Sequence, residues 1–244
     1  MELGGLPVET DVSHGIWLSS ARRRADPGTV ASLVPDSFET VARVLHPAIR
    51  YDGDDDVEVP WAEVAAHSGT VVHPLVQWHT LTGSWDGQPS EHQALLWDDG
   101  PAEGHLPVEV AARLAAVLAR HTATPEDCLF GRCDGFGFDL PDPENPPRLL
   151  LRGGQDVVLV RGAVDDATRN LAPEPHEQSA NLWWPADRAW VVVTDLDLTS
   201  TYVGGSAACI DELLATPGIE ALPARPDDPV SLAADTVNPL PGRR

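Results

Sequence analysis

The chain has 244 residues, 42% of them hydrophobic and 22% charged, enough for a sizeable core and too apolar for a disordered polypeptide. Thirty-eight acidic residues against 16 basic ones give a formal charge of −22, a field that repels phosphate backbones and anionic membranes, so neither nucleic acid nor a membrane is an expected partner. All 16 basic residues are arginine, and the missing lysine excludes a P-loop, Schiff-base and pyridoxal chemistry and Ser-Lys dyads; no cofactor is expected.

Residues 1–25, ending in Arg22-Arg23-Arg24, read as a poorly anchored arm around one apolar knot, Ile16-Trp17-Leu18. A single domain is expected over 26–223. Within it, Phe38 to His46 fits a helix through Phe38, Val41, Ala42 and Leu45, and a strand through Phe38, Thr40, Ala42 and Val44. His46-Pro47 ends the element either way, because a residue before proline avoids the α region. The acidic run 52–56 reads as a loop. Trp61 to His67 reads as a short helix, entered through Pro60 and stopped near Gly69. Residues 83–104 form a long polar stretch holding Trp85 and Trp97, either a surface loop or an insertion.

Pro107 to His121 is the clearest helix: Leu106, Val110, Leu114, Val117, Leu118 and His121 make one stripe, with Glu109 placed to pair Arg113 on the other face. Strands follow at Cys128–Cys133, Arg148–Arg152 and Val157–Val160, the last two joined as a hairpin through Gly153-Gly154. Trp190–Thr194 reads as a buried strand and Ser200–Val203 as another. Ala207–Ala215 reads as a helix, Ile219–Leu222 as a short strand, and the Pro/Asp-rich tail 224–244 as weakly anchored. Strands outnumber helices without regular βαβ alternation, so the expected class is α+β: a mostly antiparallel or mixed sheet, a few packed helices and one core.

Three patterns could carry chemistry. Asp195-Leu196-Asp197-Leu198-Thr199 after an apolar strand reproduces the D-x-D-x-T of haloacid-dehalogenase-type phosphatases, where one Asp attacks phosphorus and the other moves a proton. That family builds its core largely after the motif, and only 45 residues follow here. Gly204-Gly205-Ser206-Ala207-Ala208 resembles a hydrolase nucleophile elbow, but no histidine follows Ser206; a helix N-cap is the simpler role, with an anion at the bare amides as the alternative. His67, His73 and His79 recur every six residues, yet Gly69 and Pro74 interrupt the run and no metal signature appears, so no metal site is assigned.

Cys128, Cys133 and Cys209 supply no C-x-x-C pair or disulfide frame, and the first two would lie on opposite faces of a strand. The start of the chain shows no signal-peptide pattern, and a reducing cytoplasmic compartment is expected. Trp190 is assigned to the core, whereas Trp183 and Trp184, before Pro185, are candidate anchors for a ligand or partner. The expected function is therefore non-catalytic binding. Trp183, Trp184, Asp195, Asp197 and Ser206 are the candidate ligand contacts, and the acidic run could steer a basic protein partner. A metal-dependent hydrolase using Asp195 and Asp197, helped by His73 or His79, is the alternative.

Leu182-Trp183-Trp184-Pro185-Ala186-Asp187-Arg188-Ala189-Trp190, Tyr202-Val203-Gly204-Gly205-Ser206 and Arg43-Val44-Leu45-His46-Pro47-Ala48 together resemble a group of uncharacterised proteins of high-GC actinobacteria. The resemblance implies a bacterial cytoplasmic origin and brings no activity, cofactor or catalytic residue with it.

Overall fold

In the computed structural model, residues 1–53, 55–85, 89, 93, 95–136, 146–151 and 156–241 are described. An eight-stranded sheet dominates them, and every neighbouring pair in it is antiparallel. In chain order its strands are β3 (Thr40–Leu45), β6 (Cys128–Cys133), β7 (Arg148–Leu150), β8 (Asp156–Gly162), β9 (Leu182–Pro185), β10 (Val191–Thr194), β11 (Ser200–Gly205) and β12 (Ala221–Ala224). Across the sheet they run β12-β3-β11-β10-β9-β6-β8-β7. Two small hairpins stand outside it: β1–β2 (Glu2–Leu3 and Leu6–Pro7) and β4–β5 (Ala48–Asp52 and Asp55–Val59). The α+β class with one packed core holds.

Both faces of the sheet are covered. Ala42, Val44, Cys128, Phe130, Val158, Val160, Trp183, Val192 and Val203 face one way, against α4 (Val108–Leu118), α5 (Ala207–Ala215) and the β1–β2 hairpin. Their alternates, Val41, Leu129, Cys133, Val157, Leu159, Leu182, Trp184, Val191, Val193 and Tyr202, face the other way, against α1 (Ile16–Arg24) and residues 30–34. This settles Phe38 to His46. β3 pairs with β11 and β12 along its length, and because both its faces are buried its sequence is apolar on both sides, broken only by Arg43 after Thr40, and not a polar alternation. Cys128 and Cys133 fall on opposite faces, as the strand period requires.

A third apolar cluster caps one end of the sheet. The β4–β5 hairpin, α2 (Trp61–Ser68) and the short α3 (Trp78–Thr82) enclose Trp61, Trp78 and Trp97, with ring centroids 5.3 and 5.1 Å apart for successive pairs. α2 ends at Gly69, whose φ of 68° is the left-handed C-cap a glycine adopts freely. Trp97 is fully buried, so this part of the 83–104 stretch belongs to the core; much of 86–94 lies outside the described residues. The acidic run 52–56 is the tip of the β4–β5 hairpin, with Asp52 opposite Asp55; Asp54 lies outside the described residues, as do Arg152 to Gln155 between β7 and β8.

Two terminal segments depart from expectation. Residues 1–25 are anchored: Leu3 and Leu6 join the first face, Val8 bridges Val160, and Leu18 of α1 is wholly buried. Arg22 is buried too, its Nε donating to the Ser32 carbonyl at 2.9 Å. In the tail, Asp235 and Asn238 are buried and tie the chain to residues 71–80. These apolar and polar anchors are isolated in sequence and find partners only on distant segments. Arg113 likewise passes over Glu109 and donates from Nη2 to both Glu58 oxygens at 2.6 and 2.7 Å. No helix among the described residues is long and apolar enough to cross a membrane.

α4 is the pillar of the first face, with Val110, Leu114, Val117 and Leu118 all buried. Leu114→Ala should lower the unfolding free energy by about 2–5 kcal/mol in urea titration; unchanged stability would remove α4 from the core. All three cysteines are free and buried, and burial pushes Cys128 and Cys133 up to about 12 and Cys209 to about 11. A thiol reagent at neutral pH should therefore label the native protein negligibly and all three cysteines after denaturation without reductant.

Candidate ligand-binding cavity

A cavity of about 560 Å³ opens where the second face of the sheet meets α3 and the C-terminal segment. Its floor is set by strand register. Arg43 of β3 lies directly opposite Tyr202 of β11, and Ser200 shares Tyr202's side of that strand, so all three project to one face. Arg43 is only 4% exposed. Its Nε donates to Ser200 Oγ at 3.0 Å, and its Nη1 donates to the carbonyls of Pro74 and Val76 at 3.2 and 2.7 Å. The guanidinium also lies over the Trp61 ring, 5.7 Å from its centroid.

Those bonds use three of the five N–H donors of an arginine and leave the two on Nη2 with no partner among the described residues. No carboxylate of the described residues comes within ion-pair distance of Arg43. Burial pulls its pKa below the ordinary value, with Tyr202 and Asp235 opposing, but a guanidinium stays charged in such surroundings.

One wall comes from α3. His79 is 7% exposed and stacks on Trp85, with centroids 4.3 Å apart and planes at 17°. Burial lowers its pKa, against the pull of Asp235 and the Leu232 carbonyl, so the ring is neutral at pH 7. Its Nε2 has no partner among the described residues. The facing wall is Val230, Ser231 and Leu232. That strap is pinned by Asp235, which accepts from His73 Nε2 at 2.9 Å, from Thr80 Oγ1, and from the amides of Val237 and Asn238 at 2.9 and 3.0 Å. Burial disfavours the Asp235 anion, yet these donors outweigh it and hold its carboxyl well below the usual range. Asn238 completes the latch by bonding both the amide and the carbonyl of Val71 at 2.9 Å. Glu103 and Asp197, both exposed, stand at the rim.

The residues singled out from sequence do not assemble into one site. Trp183 and Trp184 are each 1% exposed and serve opposite faces of the sheet, Trp183 stacking on Phe130 and Trp184 meeting Trp17 edge-on. They are core mass and not anchors, because packed elements cover both faces of the sheet. Asp195 and Asp197 share the β10–β11 turn but part company: Asp195 lies 3.9 Å from Arg22, and only Asp197 reaches the cavity. Ser206 caps α5, accepting from the Cys209 amide at 3.3 Å, while Glu39 accepts from the Ala207 amide at 3.0 Å, so a carboxylate of the chain already occupies that helix start. A Cβ on Gly204 would sit 2.5 Å from Val34, which makes close packing the reason for that glycine. Of the three spaced histidines, only His79 lines the cavity, and no group of three or more His, Cys, Asp or Glu residues able to hold a metal occurs among the described residues.

Sequence reasoning passed over Arg43. Its signal is a lone charge inside the apolar run Val41-Ala42-Arg43-Val44-Leu45, which in a strand buried on both faces demands a local purpose. His46, at the end of the same strand, is fully buried and spans the Ala102 carbonyl (2.6 Å) and Thr201 Oγ1 (2.9 Å), fixing the backbone next to the rim residue Glu103. Burial drives its pKa down to about 4. The unfolded chain therefore takes up a proton near pH 6.5 that the folded protein refuses until about pH 4, so stability present above that window is lost as pH falls through it. Between pH 6.5 and pH 5 His46 alone should remove about 2 kcal/mol of unfolding free energy, and His46→Gln should flatten that slope in urea titrations at the two pH values. An equal slope in the variant would show that other groups carry it.

No protein-family model matches the chain, and no curated protein and no solved structure matches it.

Proposed function

We propose that this is a non-catalytic binding protein whose cavity takes a small ligand through an anionic group set against Arg43. The observation that carries this reading is the buried guanidinium with two N–H donors unspent and no carboxylate partner among the described residues. A buried cation without a counter-ion is unfavourable by several kcal/mol relative to a paired one, as order-of-magnitude estimates go, and an entering oxyanion supplies both the charge and the acceptor. Trp78, Trp85 and Leu232 add apolar wall against which the rest of such a ligand can pack.

Binding is favoured over hydrolysis because Asp195 lies beside Arg22 while Asp197 lines the cavity, an arrangement that lends no support to a shared carboxylate pair. An acidic surface that recruits a basic protein agrees with the charge of −22 but has lost its two aromatic anchors to the core.

Isothermal titration with benzoate, and with uncharged benzamide as control, tests the reading. Benzoate should bind saturably and benzamide should not. Arg43→Lys, which keeps the charge but not the planar fork, should weaken benzoate tenfold or more, about 1.4 kcal/mol, while circular dichroism reports a folded protein. Equal binding of benzoate and benzamide, or no effect of the substitution, would sink the anion site.

A further inference from the structure

We infer, building on that reading, that the ligand is a small zwitterion: an anion at Arg43 and an ammonium group at the rim, joined by an apolar, preferably aromatic, spacer. Three observations meet in this cavity. At depth stands Arg43, whose Nη2 faces the cavity with no hydrogen-bond partner among the described residues. At the rim stand the exposed Glu103 and Asp197, neither of which forms an ion pair with any described residue. The rings of Trp85 and Trp78 and the side chains of Leu198 and Leu232 line the same cavity.

The two polar ends therefore differ in both sign and depth, and a ligand satisfying both must carry both charges. His79 adds a polar atom to the same wall: its Nε2 is buried and has no hydrogen-bond partner among the described residues. The whole-molecule charge argues the same way. A simple anion approaches a surface of −22 against repulsion, whereas a zwitterion carries no net charge and can present its ammonium group first.

Chain reach bounds the length from above. Asp197 precedes Ser200, the partner of Arg43 Nε, by three residues, so their Cα atoms are at most about 10 Å apart. One aromatic ring with substituents at opposite ends fits within that limit. The cavity of about 560 Å³ has room for a single ring with its substituents.

The experiment compares 4-(aminomethyl)benzoate, benzoate and benzylamine by isothermal titration on the full chain, wild type and the Glu103→Gln/Asp197→Asn double variant. Both substituted side chains are exposed, so the fold should be kept. Wild type should bind 4-(aminomethyl)benzoate about tenfold tighter than benzoate, two rim contacts each contributing a few-fold. The double variant should lose that preference and bind benzoate no more weakly than wild type, since removing rim charge lessens repulsion of an anion. Benzoate binding without any preference for the aminomethyl compound, or a preference that survives in the double variant, overturns the zwitterion and leaves the anion site standing. Failure of both carboxylates to bind overturns the zwitterion and the anion site together.

Discussion

Because side chains on both faces of the central sheet are withdrawn from water, every polar group on β3, β6, β10 and β11 must find a partner inside the protein or in a ligand. The fold meets this demand with linked side chains. Arg132 donates to Gln178, Gln178 to Asn181, and Asn181 to the carbonyls of Gly104 and Thr194. Thr194 and Thr201 share a hydrogen bond of 2.7 Å, and His46 continues it to Ala102. An unmet group in such a network costs on the order of 1–3 kcal/mol, so the loop at 102–104 is held in place by the sheet's own polar residues. On β3, Arg43 ends with two N–H donors on Nη2 that no described residue accepts.

The same economy explains how a chain with so much negative charge can hold a cation at depth. Arg22, Arg43 and Arg132 are buried, while Arg113, Arg148 and Arg161 are taken up by Glu58, Asp134 and the pair Glu9 and Asp127. Three of the 16 arginines are thereby drawn inward, which removes positive charge from the exterior. A pocket bearing one unmatched cation beneath an acidic rim is a product of that segregation.

Closure of the cavity depends on the last described stretch of chain. Residues 230–232 form a wall only because Asp235 gathers His73, Thr80 and Asn238 a few residues further on. The latch is charged, buried and linked to α3, so the aromatic wall built on His79 and the tail wall are one mechanical unit.

Periodicity located α4 and α5 and the free, oppositely facing Cys128 and Cys133, because those elements rest on contacts a few residues apart or on the two-residue repeat of a strand. Ser206 as a helix cap was legible for the same reason. The candidate cavity was not. Arg43, His79, Asp197 and Leu232 span most of the chain, and nothing local marks them as neighbours; antiparallel register set Arg43 against Tyr202, and the buried latch at Asp235 brought the tail to α3. The same gap misplaced Trp183 and Trp184, whose burial depended on what packs over the two faces of the sheet. Composition and short-range pattern thus determined the class, most elements and the state of the thiols, whereas the site was decided by tertiary structure, since it rests on contacts between segments far apart in sequence.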